Sequence, residues 1–183
     1  MIFVTVGTQL PFDRMIRTVD AWAGRRGIEV FAQIGPGEYV PRHMQWTRTL
    51  PADDCNALIR QARGVVAHAG MGSILTALQS GKPILVMPRL GRLGEHRNDH
   101  QVMTARHFKE QGRIRVAFDE AELEVELDAI VTAQPTARIG SSASPPLINA
   151  LRSFVRRTSD RSPAAPQGAP EPAPRRDTAV ARV

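Results

Sequence analysis

The chain is short of cysteine, lysine, aromatic side chains and long apolar runs, and each shortage removes a class of protein. Cys55 is the single cysteine among 183 residues, which excludes an internal disulfide and a cysteine-built zinc cage. It reads as a small core-facing thiol in a reducing compartment. Aromatic residues make up only 5%. No ribonucleoprotein-type aromatic motif, GXXG clamp or zinc finger is present, so nucleic acid is not an expected partner. Lys82 and Lys109 are the only lysines, and arginine carries the rest of a net charge of +6. That balance leaves contact with an anionic membrane surface open. No apolar segment approaches the roughly 20 residues that span a bilayer. The opening Met1-Ile2-Phe3-Val4-Thr5-Val6 lacks a charged leader and a cleavage site, and reads as a first strand rather than a signal peptide.

Enough remains for a core. Apolar residues are 42% of the chain, ordinary for a globular protein, and they recur in an alternating order. Ile2 to Val6 is an apolar run ended by Gly7-Thr8. Asp13 to Arg26 places Met15, Ile16, Val19, Trp22 and Ala23 at helical spacing. Ile28 to Ile34 reads as a second strand stopped by Gly35-Pro36-Gly37, and Gln45 to Thr49 as a shorter third. Asp53 or Asp54 is expected to cap a helix reaching Ala62. Strands follow over 64–67, 83–87 and 113–118. Helices follow over 73–79, 99–111 and 120–131, the last capped by Asp119.

This alternation predicts an α/β, Rossmann-like, doubly wound parallel sheet with helices on both faces and ligands at the strand ends. The expected organisation is a folded domain over 1–133, then a linker and C-terminal helix over 134–157. In that helix Leu147, Ile148, Leu151, Phe154 and Val155 share a face beside Arg152, Arg156 and Arg157. A Pro-, Ala- and Arg-rich tail over 158–183 is expected to be disordered.

The strand ends carry the chemistry. Gly70-Met71-Gly72-Ser73 is an open glycine turn entering a helix. Backbone N–H groups and the positive end of the helix dipole suit an anion there, although the same turn also serves as plain structure. The third glycine of a dinucleotide fingerprint would fall on Leu75, and no phosphate loop of the G-x-x-x-x-G-K-[ST] kind occurs, so neither hydride chemistry nor a Walker site is expected. His68 ends a strand, where it is either structural or ligand-facing. Thr8 offers a hydroxyl at the first strand's end. Glu95-His96-Arg97-Asn98-Asp99-His100-Gln101 is too polar for a core segment and is either a solvated helix cap or a reader of hydroxyl-rich ligands. With no H-E-x-x-H and no cysteine support, no metal is expected.

Read jointly, Val4-Thr5-Val6-Gly7-Thr8 with Pro11-Phe12-Asp13, His68 to Ser73, Gly81 to Arg89 and Glu95 to Gln101 resemble the C-terminal, donor-binding domain of glycosyltransferase family 28. The likeness covers residues 1–131. It is nearest to the free-standing bacterial exopolysaccharide (PssE-type) subunits, and similar to the eukaryotic subunit that helps add the second N-acetylglucosamine to dolichol-linked oligosaccharide. The resemblance implies half of a GT-B hexosyltransferase that uses a UDP-sugar as substrate and needs no cofactor. A membrane-anchored (PssD-like) acceptor-binding subunit would bring a lipid-linked sugar acceptor, placing the chain in the cytoplasm at the inner face of the membrane. It also implies Gly70, Met71, Gly72 and Ser73 against the diphosphate, with Gly7, Thr8, His68 and Arg89 beside it, and Asn98, Asp99, His100 and Gln101 on the sugar. Thr76 stands where many members carry a ribose-binding glutamate, and Gln79 one turn later is the expected substitute. No catalytic base is assigned to this chain. The alternative is a noncatalytic nucleotide-sugar-binding module that regulates a partner; an epimerase on this architecture would need a longer chain.

Overall fold

A computed structural model describes residues 1–140 and Asn149. The elements run β1 (Ile2–Thr5), α1 (Asp13–Arg26), β2 (Val30–Gln33), β3 (Gln45–Thr47), α2 (Ala52–Gln61), β4 (Gly64–His68), α3 (Met71–Gln79), β5 (Ile84–Met87), α4 (His100–Glu110), β6 (Arg115–Val116) and α5 (Glu120–Thr132), with a 3₁₀ turn at Gly91–Leu93. The six strands lie in the order β3-β2-β1-β4-β5-β6, and every pair is parallel. This is the doubly wound α/β arrangement that the alternation predicts.

The central strands β1, β2, β4 and β5 are short and buried on both sides, so successive side chains feed separate cores. Ile2 and Val4 of β1 pack with Met15, Val19 and Trp22 of α1 and with Leu123, Leu127 and Ile130 of α5. Phe3, between them in sequence, packs on the opposite face with Ile59 of α2, Ile74 and Leu78 of α3 and Ala105 of α4. Trp22 also donates its indole N–H to Asp128 at 2.9 Å, and Arg25 pairs with Glu124 at 3.1 Å, tying α1 to α5 along their length.

Local signals set most boundaries. Gly27, left-handed at φ +62°, closes α1, and the Asp119 carboxylate accepts the Glu122 N–H to open α5. Several boundaries differ from expectation. Helix α2 starts from Pro51, which puts Asp53 and Asp54 in its first turn rather than at its cap, where their charge still complements the dipole. Helix α3 starts at Met71, before Ser73, so the glycine turn is already helical. Strands β3 and β6 keep only their paired residues, because an edge strand has one neighbour to hold it.

Beyond α5 the chain crosses to the other side of the sheet. The Thr136 N–H bonds the Gly81 carbonyl at 3.1 Å, the Ile139 N–H bonds that of Leu78 at 3.3 Å, and Ile139 packs on the second core. Apart from its helical Asn149, the helix expected over 147–157 lies outside the described residues, as does the tail from 158. Among the described residues, no helix is long and apolar enough to cross a membrane.

Candidate functional site

Strands β1 and β4 are neighbours whose outgoing connections part, β1 toward β2 and β4 toward β5. The loops beyond their carboxyl ends diverge and leave a crevice, which is where open α/β sheets bind ligands. Here the crevice is bipartite. One hollow of about 310 Å³ is lined by residues including His68, Gly70, Arg89, His96, His100 and Gln101. A second of about 400 Å³ is lined by residues including Gln33, Cys55, Asn56 and Thr76. Gly7, Thr8, Gly72 and Ser73 wall both, so they form its waist.

The waist is built from sequence-local constraints. Gly7 turns the chain with φ +73°, a conformation that disfavours any Cβ. A relay fixes the turn: the Thr5 hydroxyl donates to Gln33 Oε1 at 2.7 Å and accepts the Gly7 N–H at 3.1 Å. Across the crevice, the His68 ring is wedged between two glycines. A Cβ on Gly7 would lie 2.8 Å from its Cε1, and one on Gly70 2.2 Å from its Nε2. Gly70 stands at the cap position of α3, and no side chain caps that helix. The first intrahelical bond runs from the Ile74 N–H to the Gly70 carbonyl. The N–H groups of Met71, Gly72 and Ser73 are therefore the open end of α3, carrying about half an elementary positive charge between them.

The first hollow is cationic and polar. Arg89, 3% exposed, donates through Nη2 to the carbonyls of Val6 at 2.9 Å and Leu10 at 2.5 Å, and its guanidinium lies over the Phe12 ring. Burial lowers its pKa to about 10, so it remains a cation at neutral pH. Its Nε has no partner among the described residues. Burial, reinforced by the Arg89 charge, holds the His68 imidazole down at about 4, so the ring is neutral, and its Nδ1 is also unpartnered. Gln101 spends its carbonyl oxygen on the Arg89 N–H at 3.1 Å, which leaves its NH₂ for a ligand. His96 meets His100 edge-on, ring centroids 4.5 Å apart, and burial with the neighbouring cations lowers the His96 pKa.

An ion pair holds the polar loop over this hollow. Arg14 of α1 grips Glu95 with two N–H groups, Nε at 2.7 Å and Nη2 at 2.9 Å. Glu95 in turn accepts the Leu90 N–H. Asp99 accepts the Gly91 N–H at 2.7 Å, and Asn98 accepts the His100 N–H at 3.3 Å. Asn98 and Asp99 thus shape the loop and line neither hollow, and the half-exposed Met71 side chain lines neither. The other sequence-identified candidates, Gly7, Thr8, His68, Gly70, Gly72, Ser73, Thr76, Arg89, His100 and Gln101, do meet at the crevice.

Gln79 does not stand in for the missing glutamate. It lines a cavity at the opposite edge of the sheet, because it is the last residue of α3 and three residues of helix carry it about 4.5 Å further from the crevice. The polar groups that share the second hollow with Thr76 include Gln33 and Asn56. Neither follows from its local motif, since topology alone brings β2 and α2 to this place. Cys55 packs on the second core and also borders this hollow, and burial raises its thiol pKa.

Fold and crevice together define an open α/β domain with a bipartite crevice at its switch point. The glycosyltransferase family 28 C-terminal domain matches residues 1–147, and the chain belongs to that family. The human UDP-N-acetylglucosamine transferase subunit ALG13 is 33% identical over 124 residues, 62% of this chain and 10% of that protein. The chain thus spans about a tenth of the length of this relative. Its fold is shared with the solution structure of ALG13, at 19% identity and TM-score 0.53 over 82% of this chain and 93% of that one. Os79 from O. sativa, solved in complex with UDP, superposes at TM-score 0.55 and 17% identity over 72% of this chain and 31% of its own.

Proposed function

We propose that the chain is the donor-binding subunit of a two-component inverting hexosyltransferase. It holds a UDP-sugar across the bipartite crevice, and a membrane-anchored, PssD-like partner brings a lipid-linked acceptor of exopolysaccharide or glycan assembly to it. The observation that carries this reading is the waist, where the uncapped start of α3 faces Gly7 and Thr8 between two hollows. A nucleoside diphosphate sugar has the same plan, two polar bodies joined by a diphosphate. The waist amides suit the diphosphate, the hollow of Gln33, Asn56 and Thr76 suits the nucleoside, and the hollow of His100 and Gln101 suits the sugar. The UDP named with the rice structure and the donor named with ALG13 agree with this reading.

Attack of the acceptor hydroxyl on the anomeric carbon breaks the bond to the diphosphate, and negative charge grows on the leaving UDP. The α3 amides and dipole stabilise that charge where it develops. Arg89 contributes by holding the Val6–Leu10 loop in place. The general base is placed on the partner, as is attachment to the inner face of the cytoplasmic membrane. Reconstitution tests this: chain, candidate partner and lipid-linked acceptor with UDP-glucose, UDP-galactose, UDP-N-acetylglucosamine or GDP-mannose. Transfer of one sugar only when both proteins are present is expected; equal transfer by the partner alone overturns the catalytic role.

Thr76 favours a second reading, a noncatalytic nucleotide-sugar-binding module that regulates a partner. A threonine cannot accept two ribose hydroxyls as a carboxylate does. Under that reading Gly72→Asp abolishes UDP binding to the chain while the partner continues to transfer.

A further inference from the structure

The parallel strands have a second common edge, where they begin, and it holds a cavity that the donor crevice does not explain. Arg60 lies in the last turn of α2, Arg63 precedes β4, Lys82 precedes β5, and Arg138 lies on the segment after α5; together they line a hollow of about 640 Å³ with Gln79, Ser80 and Thr136. No aspartate or glutamate lines it. Among the described residues, none of these cations is paired with a carboxylate. The Gly81-Lys82-Pro83 stretch therefore serves a different edge of the sheet from the glycine turn with which it forms one sequence pattern.

We infer that this cavity is a second anion site, which takes a multiply charged phosphate ester. The ordinary alternative is that basic residues gather there to complement helix carboxyl ends, and magnitudes decide against it. Three such ends, those of α2, α3 and α5, supply at most about half a negative charge each. The α3 carbonyls are in addition already taken: Leu78 accepts from Gly81 and Ile139, and Ala77 from Lys82. Four positive side chains, of which Arg60, Arg63 and Arg138 are solvent-exposed, thus face at most about one and a half elementary negative charges, and the surplus attracts a polyanion into the open cavity they share.

The cavity is also a built feature. Its wall is the chain crossing from α5, pinned by the Thr136 hydroxyl on the Lys82 carbonyl at 3.4 Å and by the Thr136 N–H on Gly81. Gly81, at φ +67°, leaves room for Arg138, whose Cγ would lie 3.0 Å from a Cβ placed there. The ligand chemistry is a phosphate or diphosphate group, whose source is a soluble metabolite or the headgroup of an anionic lipid. Of the net charge of +6, much lies in the arginines beyond residue 140, so the chain leaving this cavity carries the same sign.

Calorimetric titration of inorganic pyrophosphate into the full chain tests the site, with Gly72→Asp as a second background in which the donor crevice is closed to anions. Saturable binding is expected in both, weakened about tenfold or more by the double variant Arg63→Glu/Arg138→Glu. Flotation with phosphatidylcholine vesicles, with and without phosphatidic acid, distinguishes the source. Flotation only with phosphatidic acid, lost in the double variant, identifies a lipid headgroup; pyrophosphate binding without flotation identifies a soluble phosphate ester. Loss of all pyrophosphate binding in Gly72→Asp together with no flotation overturns the site. So does a double variant that binds both probes like the unsubstituted chain while keeping its melting temperature.

Discussion

At the scale of single residues, the crevice separates glycines that cannot change from one that can. Gly7 combines a positive φ with His68 against its hydrogen, and at Gly70 the ring lies 2.2 Å from where a Cβ would stand. Gly7→Ala is therefore expected to lose about 1–3 kcal/mol in denaturant unfolding. Gly72 differs, because a Cβ there meets nothing within 4 Å. Gly72→Ala should leave stability unchanged or raise it by up to about 1 kcal/mol. Gly72→Asp should melt like the parent yet lose UDP binding in calorimetry, since it sets a carboxylate where phosphate sits. His68 gives a pH signature. Its folded pKa of about 4 lies below its ordinary 6.5, so between those values the unfolded chain binds the extra proton and stability falls as pH falls. That loss, up to about 3 kcal/mol, is complete near pH 4. Urea unfolding from pH 7 to 4.5 should show a steeper decline for the parent than for His68→Asn; equal slopes contradict the assignment.

At the scale of elements, hydrophobic alternation and glycine punctuation make the order of strands and helices legible in the sequence itself. Runs such as Ile2 to Val6 have one stable use, a strand covered on both faces. The residues at strand ends are legible for the same reason, because a parallel sheet gathers them at one edge. What stays hidden is decided by long-range contact. Gln33 and Asn56 reach the second hollow through sheet order, and Gln79 leaves it by standing at the far end of α3. Glu95 and Asp99 sit in a polar run whose composition does not say whether it faces a ligand or its own backbone. The Arg14–Glu95 pair could not be foreseen from spacing, since it joins residues 81 apart. With side chains 14% and 12% exposed, it is a largely desolvated pair whose breakage leaves one charge behind. Arg14→Ala should cost about 3 kcal/mol and free the loop over the first hollow. In transfer assays of the reconstituted pair, sugar selectivity should then fall more than UDP affinity.

At the scale of the whole molecule, the sheet is a two-ended device. Its carboxyl edge carries the crevice of the shared family fold, and its amino edge carries the cavity of Arg60, Arg63, Lys82 and Arg138. Under the proposed function, the open crevice along the switch point is half of an active site, and a second protein closes over the sugar and supplies a base. The proposed function rests on the waist, and amide chemical shifts on the ¹⁵N-labelled chain titrated with UDP test it most directly. The largest saturable shifts are expected at Gly7, Thr8 and Gly70 to Ser73, with smaller ones at Gln33, Asn56 and Thr76. Shifts that leave those amides still, or that appear only around Lys82 and Arg138, would contradict it.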